Sequence, residues 1–257
     1  GISKPQFVFK PVAHTGDLEG SPMVRNAGAA PRIRVETRSR LDEMIERLTG
    51  SGGGSPGSNE SSPGPLGGVF VISGDAGMGK STMLSYAQSA AERLDGILVI
   101  SVQGSSVNVA GPMHGARTVL SMMLKHFGGA AAAAHAIDAT PEDVSAIALW
   151  SPSSRAAVME WICNKYGIGN GDKKQQEAMA LVPLPVHRRT YLLQSLVVRL
   201  IAAAGPVALF VDDAQWLDEL FWRVLTAVVE DERCRETFLC VLARRPDKKK
   251  VFELFSA

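Results

Sequence analysis

The chain has 257 residues, of which 46% are hydrophobic and 21% charged, with a net charge of +1. That length suits one large α/β domain or two small ones, and the composition argues against wholesale disorder. Near-neutrality removes electrostatics as a reason to propose nucleic acid or an anionic membrane as partner. Cys163, Cys234 and Cys240 are odd in number and lack metal-ligand spacing, so a reducing, cytoplasmic setting is the expectation. The longest apolar candidate, "SLVVRLIAAAGPVALFV", is broken by Arg199 and by Gly205-Pro206. It falls short of the roughly 20 apolar residues a membrane helix needs. Lys4 and Pro5 precede only three apolar residues before Lys10, unlike a signal peptide, so a soluble protein is expected.

In chain order, residues 1–31 are rich in Gly, Pro and polar side chains and read as a flexible segment with one strand-like piece, "QFVFKPV". In "RVETRSRLDEMIERL", Leu41, Met44, Ile45 and Leu48 recur at helical spacing, with Thr37 or Ser39 as the expected N-cap. Residues 49–68, dense in Gly, Ser and Pro, read as a loop that cannot bury enough surface to offset its ordering entropy. "VFVIS" from Val69 is an apolar run of the kind a strand buried on both faces shows. A helix is expected from about Lys80 to Leu94. Further buried strands are expected at Gly96–Val102, Pro206–Val211 and Thr237–Ala243. Strands alternating with helices predict a parallel sheet with helices on its faces. Residues 103–186, with an alanine tract at Ala130–Ala134 and a loop "YGIGNGDKKQQ", read as a mostly helical insertion.

Three stretches carry chemistry. In "VFVISGDAGMGKSTML", Gly74, four residues and then Gly79-Lys80-Ser81 complete the phosphate-binding loop pattern between a strand and a helix. Glycines 74, 77 and 79 would let successive N–H groups turn toward phosphate oxygens, and the helix N-terminus adds its dipole. The cradle is predicted to run through Gly74, Asp75, Ala76, Gly77, Met78, Gly79, Lys80, Ser81 and Thr82. Lys80 would reach the β- and γ-phosphates, and the Ser81 hydroxyl would join the shell of a Mg2+ ion. In "PVALFVDDAQWLDELFWRVL", Asp212 and Asp213 end a strand at the edge where open parallel sheets bind ligands. Asp212 would hold the metal. Asp213 would orient or deprotonate the attacking water, a role compatible with capping a helix that starts at Ala214. In "FLCVLARRPD", Arg245, in preference to Arg244, could aim at the γ-phosphate, or the pair could be a solvated basic edge before Lys248, Lys249 and Lys250. Trp216 and Trp222 are expected to pack on different sides of one helix. His114, His126, His135 and His187 have no partner at ligand spacing.

With "HRRTYLLQSLVVRLIAAAGPVALFVDDAQWLDEL", the phosphate loop resembles the AAA/STAND-type ATPase module of large signalling proteins. That module occurs beside class III cyclase domains in soluble adenylyl cyclase-like proteins and in MalT- or LuxR-type transcription regulators. The resemblance spans roughly residues 32–247, omitting the glycine-rich loop and the insertion. It implies an α/β P-loop NTPase fold, ATP and Mg2+ as cofactors, and other domains of the same polypeptide as partners. It also implies a phosphate-loop strand flanked by the acidic and sensor strands, and a fifth strand and lid beyond Ala257. The chain is therefore expected to be a fragment. Thr37 stands where the family has a glycine before Arg38, and Phe221 where it has a small Ser. The opening "KPQFVFKPVAH" resembles the end of a cyclase domain and favours the cyclase-linked version. A switch that holds nucleotide with little turnover, and a small-molecule kinase, are the alternatives.

Overall fold

The structure, a computed structural model, describes residues 35–48, 67–105, 114–167 and 186–246. The expectations for residues 1–31, for most of the glycine-rich loop and for nearly all of "YGIGNGDKKQQ" lie outside these residues, as does any lid.

Helix α1 (Val35–Leu48) precedes strand β1 (Gly68–Ser73), so the last residue of the glycine-rich stretch already belongs to the sheet. Helix α2 (Lys80–Ala91) and strand β2 (Leu98–Gln103) follow. The insertion comprises α3 (His114–His126), α4 (Ala130–Ala136), α5 (Pro141–Trp150) and α6 (Arg155–Tyr166). Helix α7 (Val186–Ala204), strand β3 (Val207–Asp212), helix α8 (Glu219–Glu230) and strand β4 (Phe238–Arg244) complete the order. The longest apolar run of the sequence is thus split at Gly205 between a helix and a strand. Among the described residues no helix is long and apolar enough to cross a membrane.

The four strands form one parallel sheet in the order β1-β4-β3-β2, with Phe70 opposite Val241, Leu209 opposite Cys240 and Ile100 opposite Leu209. This corrects one expectation. The phosphate-loop strand is not flanked by both partners; among the described residues β4 is its neighbour, and the acidic strand β3 lies one place further on. Such non-local pairing is set by packing across the sheet and leaves no mark on any single strand.

The two-residue period of a strand divides the core cleanly. Val207, Leu209 and Val211 of β3 face a layer built from α7, α8 and the insertion. Ala208 and Phe210 face the other way, with Phe70, Leu239 and Val241, against α1 and α2. Both faces are covered, which is why the strands read as continuous apolar runs.

Three local expectations change. Helix α1 begins at Val35, so Thr37 and Ser39 lie inside it rather than capping it. Its buried stripe is as expected, with Leu41, Ile45 and Leu48 in the core. Helix α2 ends at Ala91, three residues before Leu94. Trp216 and Trp222 do not share a helix: Ala214–Trp216 is a single 3-10 turn, and α8 starts afresh with Asp218 as its N-cap, accepting from the Phe221 N–H at 3.0 Å. Trp216 is exposed, whereas Trp222 is buried.

Two polar devices hold the layers. The Arg199 guanidinium on α7 pairs with Asp143 on α5 at 2.6 Å and also donates to the Ile137 carbonyl. Asp143 is almost fully buried and closes a capping box with Thr140 at the start of α5. On the other face, the Tyr86 hydroxyl of α2 donates to Asp42 of α1 at 2.8 Å, and Arg38 lies 4.1 Å over the Tyr86 ring. Arg38 therefore sits on a helix, not in a loop, and its guanidinium is stacked against the helix that follows the phosphate loop.

Candidate functional site

Strand β1 ends at Ser73, and the Gly74 N–H donates to the Arg244 carbonyl at 3.3 Å, fixing where the loop leaves the sheet. Gly77 and Gly79 adopt φ of 80° and 79°, the left-handed region that other residues reach only with strain. Gly74 does not. A Cβ there would meet Met78 and Lys80 only at ordinary van der Waals distances of 3.5 to 3.9 Å, so neither backbone conformation nor room demands glycine at this position. Gly79, the N-cap of α2, has no side chain to accept from the first N–H groups of the helix, the end where an anion would meet it. Asp75 to Gly79, Ser81 and Thr82 are exposed, and Lys80 is half-buried. The Lys80 ammonium reaches back to donate to the Asp75 carbonyl at 2.8 Å, spanning the mouth of the cradle. Met78 is exposed at the loop tip.

Across the sheet, Asp212 ends β3 and its carboxylate accepts from the Asp213 N–H at 2.9 Å. Asp213 has φ 49° and ψ 43°, left-handed geometry that Asp tolerates better than most residues. Its side chain does not cap the turn that follows. Instead, Asp213 Oδ1 accepts from Gln215 Nε2 at 2.8 Å, while its carbonyl accepts from Trp216 N–H at 3.0 Å. The capping role weighed for Asp213 is thus taken by Asp218, at the next helix. Gly104, just past β2, donates its N–H to the Asp212 carbonyl at 2.9 Å. A Cβ on Gly104 would lie 2.3 Å from the Asp213 carbonyl oxygen, so only glycine allows this approach.

Arg244 ends β4, and Arg245 follows it, exposed, with its backbone N–H donating to Gln215 Oε1 at 3.1 Å. The sheet order thus puts the phosphate loop, the Asp212-Asp213 turn and the arginine pair at the same C-terminal edge. The loop and the acidic pair are separated by one strand, and that strand carries the arginines. Sequence reasoning found these three groups but missed Gln215, which joins two of them. The only signal was an amide two residues past a carboxylate, and its second partner lies 30 residues away.

Ser81 and Asp212 are the expected Mg2+ ligands. A hydroxyl and a carboxylate suit this ion, which keeps much of its shell as water and phosphate oxygen. Among the described residues no group of three or more His, Cys, Asp and Glu could hold a metal ion. His114, His126 and His135 are exposed on α3 and α4. The side chain of His187 lies outside the described residues.

The model of the AAA ATPase domain family matches residues 59–242, more than two thirds of the chain and the span from before β1 to the body of β4. No curated protein and no solved structure matches the chain significantly.

Proposed function

The chain belongs to the AAA ATPase domain family, and from that premise we propose an ATP-binding, Mg2+-dependent P-loop module that works as a regulatory switch inside a multidomain signalling protein. The observation that carries the reading is the loop itself. Left-handed Gly77 and Gly79 lead into an uncapped helix whose first residue, Lys80, folds back across the cradle.

In the proposed cycle, Lys80 leaves the Asp75 carbonyl for the β- and γ-phosphate oxygens, and the loop amides and helix dipole take up the remaining negative charge. Ser81 and Asp212 would hold Mg2+, which when bound would neutralise charge on the phosphates. Asp213 orients a water and accepts its proton. The water oxygen bonds to the γ-phosphorus as the bridging bond to the β-phosphate breaks, giving ADP and inorganic phosphate. Arg245 reads the γ-phosphate from the end of β4.

The cyclase link rests on the likeness of "KPQFVFKPVAH" to the end of a class III cyclase domain, and the partners would be domains of the same polypeptide. A second reading is a STAND-type switch that holds nucleotide with little turnover. Phosphate release well above a Lys80→Ala control would set that reading aside, and transfer to a small acceptor instead of water would revive a kinase.

Isothermal titration with ATP and Mg2+ tests the proposal. Lys80→Ala is expected to bind about 100-fold more weakly, the scale of a lost charge-assisted contact. Equal affinity in the two proteins would end the reading.

A further inference from the structure

Resting on the ATPase reading above, we propose that Gln215 is a positioning residue that ties the γ-phosphate-reading end of β4 to the Asp213 carboxylate. A glutamine side chain has one acceptor oxygen and a donor nitrogen, and both are used here on different elements. Nε2 donates to Asp213 Oδ1 at 2.8 Å, and Oε1 accepts from Arg245 N–H at 3.1 Å. The chemistry allows no other orientation: a carboxylate can only accept, and a backbone N–H can only donate. Flipping the amide would break both bonds at once.

The surroundings make the link stiff. Asp213 is held left-handed, and the Trp216 N–H to Asp213 carbonyl bond closes the turn that directs Gln215 back over it. On the other side, Pro246 restricts Arg245 to extended backbone, which keeps its N–H aimed across the strand end. One carboxylate oxygen is thereby anchored, leaving the other to address a water. A displacement of Arg245 toward or away from a γ-phosphate would be transmitted through one side chain to the group that orients the water. Positional errors of about 1 Å at such a group can cost 100-fold in rate.

The test uses the full chain with Gln215→Met, which loses both bonds, and Gln215→Glu, which keeps the acceptor for Arg245 but sets a carboxylate against Asp213. For Gln215→Met, kcat for phosphate release is expected to fall about 10- to 100-fold with KM and ATP affinity within about two-fold. Gln215→Glu is expected to lose kcat while keeping wild-type hydrogen exchange at the Arg245 amide. In Gln215→Met that amide is expected to exchange about ten-fold faster. In the wild type its exchange should differ between ADP and a non-hydrolysable ATP analogue, and in Gln215→Met it should not.

Wild-type kcat in Gln215→Met, or unchanged exchange at Arg245, overturns the link. If the wild type releases no more phosphate than Lys80→Ala, the hydrolysis in the reading above fails. The exchange comparison then decides the link alone: nucleotide-dependent protection that needs Gln215 supports it, and identical exchange in both proteins overturns it.

Discussion

Between Gly74 and Thr82 every residue but Gly74 and Lys80 is exposed, whereas α3 to α6 bury Val119, Leu120, Met123, Val144, Ile147, Val158 and Ile162. The first region is shaped by backbone: two left-handed glycines, an uncapped helix start and a lysine bonded to its own loop. The second is shaped by side-chain volume and by one buried ion pair. On the proposed function, residues at the sheet's C-terminal edge answer to a ligand, and those on its faces answer to one another. Substitutions should then separate into two classes, those that cost function with little stability and those that do the reverse.

The largest separation is expected at Asp213→Asn. Loss of a general base slows turnover about 10²- to 10⁴-fold. Nucleotide affinity should stay near wild type because the cradle is untouched. Stability should also hold, since Asn accepts left-handed φ and keeps an oxygen for Gln215 Nε2. Phosphate release, titration and thermal unfolding of one preparation check all three. A large loss of stability would show that the turn is structural first, and the contrast between the edge and the faces would break there.

The converse is expected at Arg199→Ala. It removes the cation beside Asp143, a carboxylate almost wholly withdrawn from water. Leaving such a charge without its partner costs about 3 kcal/mol, to be read as a lowered urea midpoint. Asp143 keeps its bonds from Thr140, and adding Asp143→Asn should recover part of the loss because no charge is then buried. ATP affinity should not change in either variant. A variant that lost nucleotide binding with its midpoint intact would mean that the α5–α7 staple reports to the site, and the two regions would not be independent.

How legible each region was follows from the same difference. The loop was readable because its requirements are local: glycines at set spacing, a lysine and hydroxyl after them, and apolar runs before. The four strands were readable for the same reason. Their order was not, since β4 takes its place between β1 and β3 through contacts that no single strand records. The break between Trp216 and α8 did have a local signal, Asp218 three residues before Phe221, which continuous apolar spacing masked. Gln215 had none that could reveal Arg245. Phe221, in a place where a small residue was expected, is explained only in three dimensions. It packs where α3 offers Gly115, whose Cβ would lie 2.7 Å from the Phe221 ring.

The smallest effect expected sharpens the contrast through pH. Cys234 and Cys240 are fully buried in the core layer beneath α3, α7 and α8, and burial pushes the Cys234 thiol up to about 11 and the Cys240 thiol further. Asp231 adds to the rise at Cys234, and Arg233 opposes it. The folded state therefore holds these protons after the unfolded chain, whose thiols ionise near 9.0, has released them. The unfolded state binds fewer protons in this range, so stability must fall as pH rises. The stabilisation is complete below about pH 8 and erodes from about pH 9 toward 11, by at most about 1.4 kcal/mol per thiol per pH unit. Lysines and tyrosines titrate in the same window, so the informative quantity is a difference. Urea midpoints at pH 8 and pH 10 should converge in a variant with Cys234→Ala and Cys240→Ala relative to the wild type. An unchanged pH dependence would mean that the packed layer opens to solvent well below global unfolding, and that it is no more rigid than the loop across the sheet.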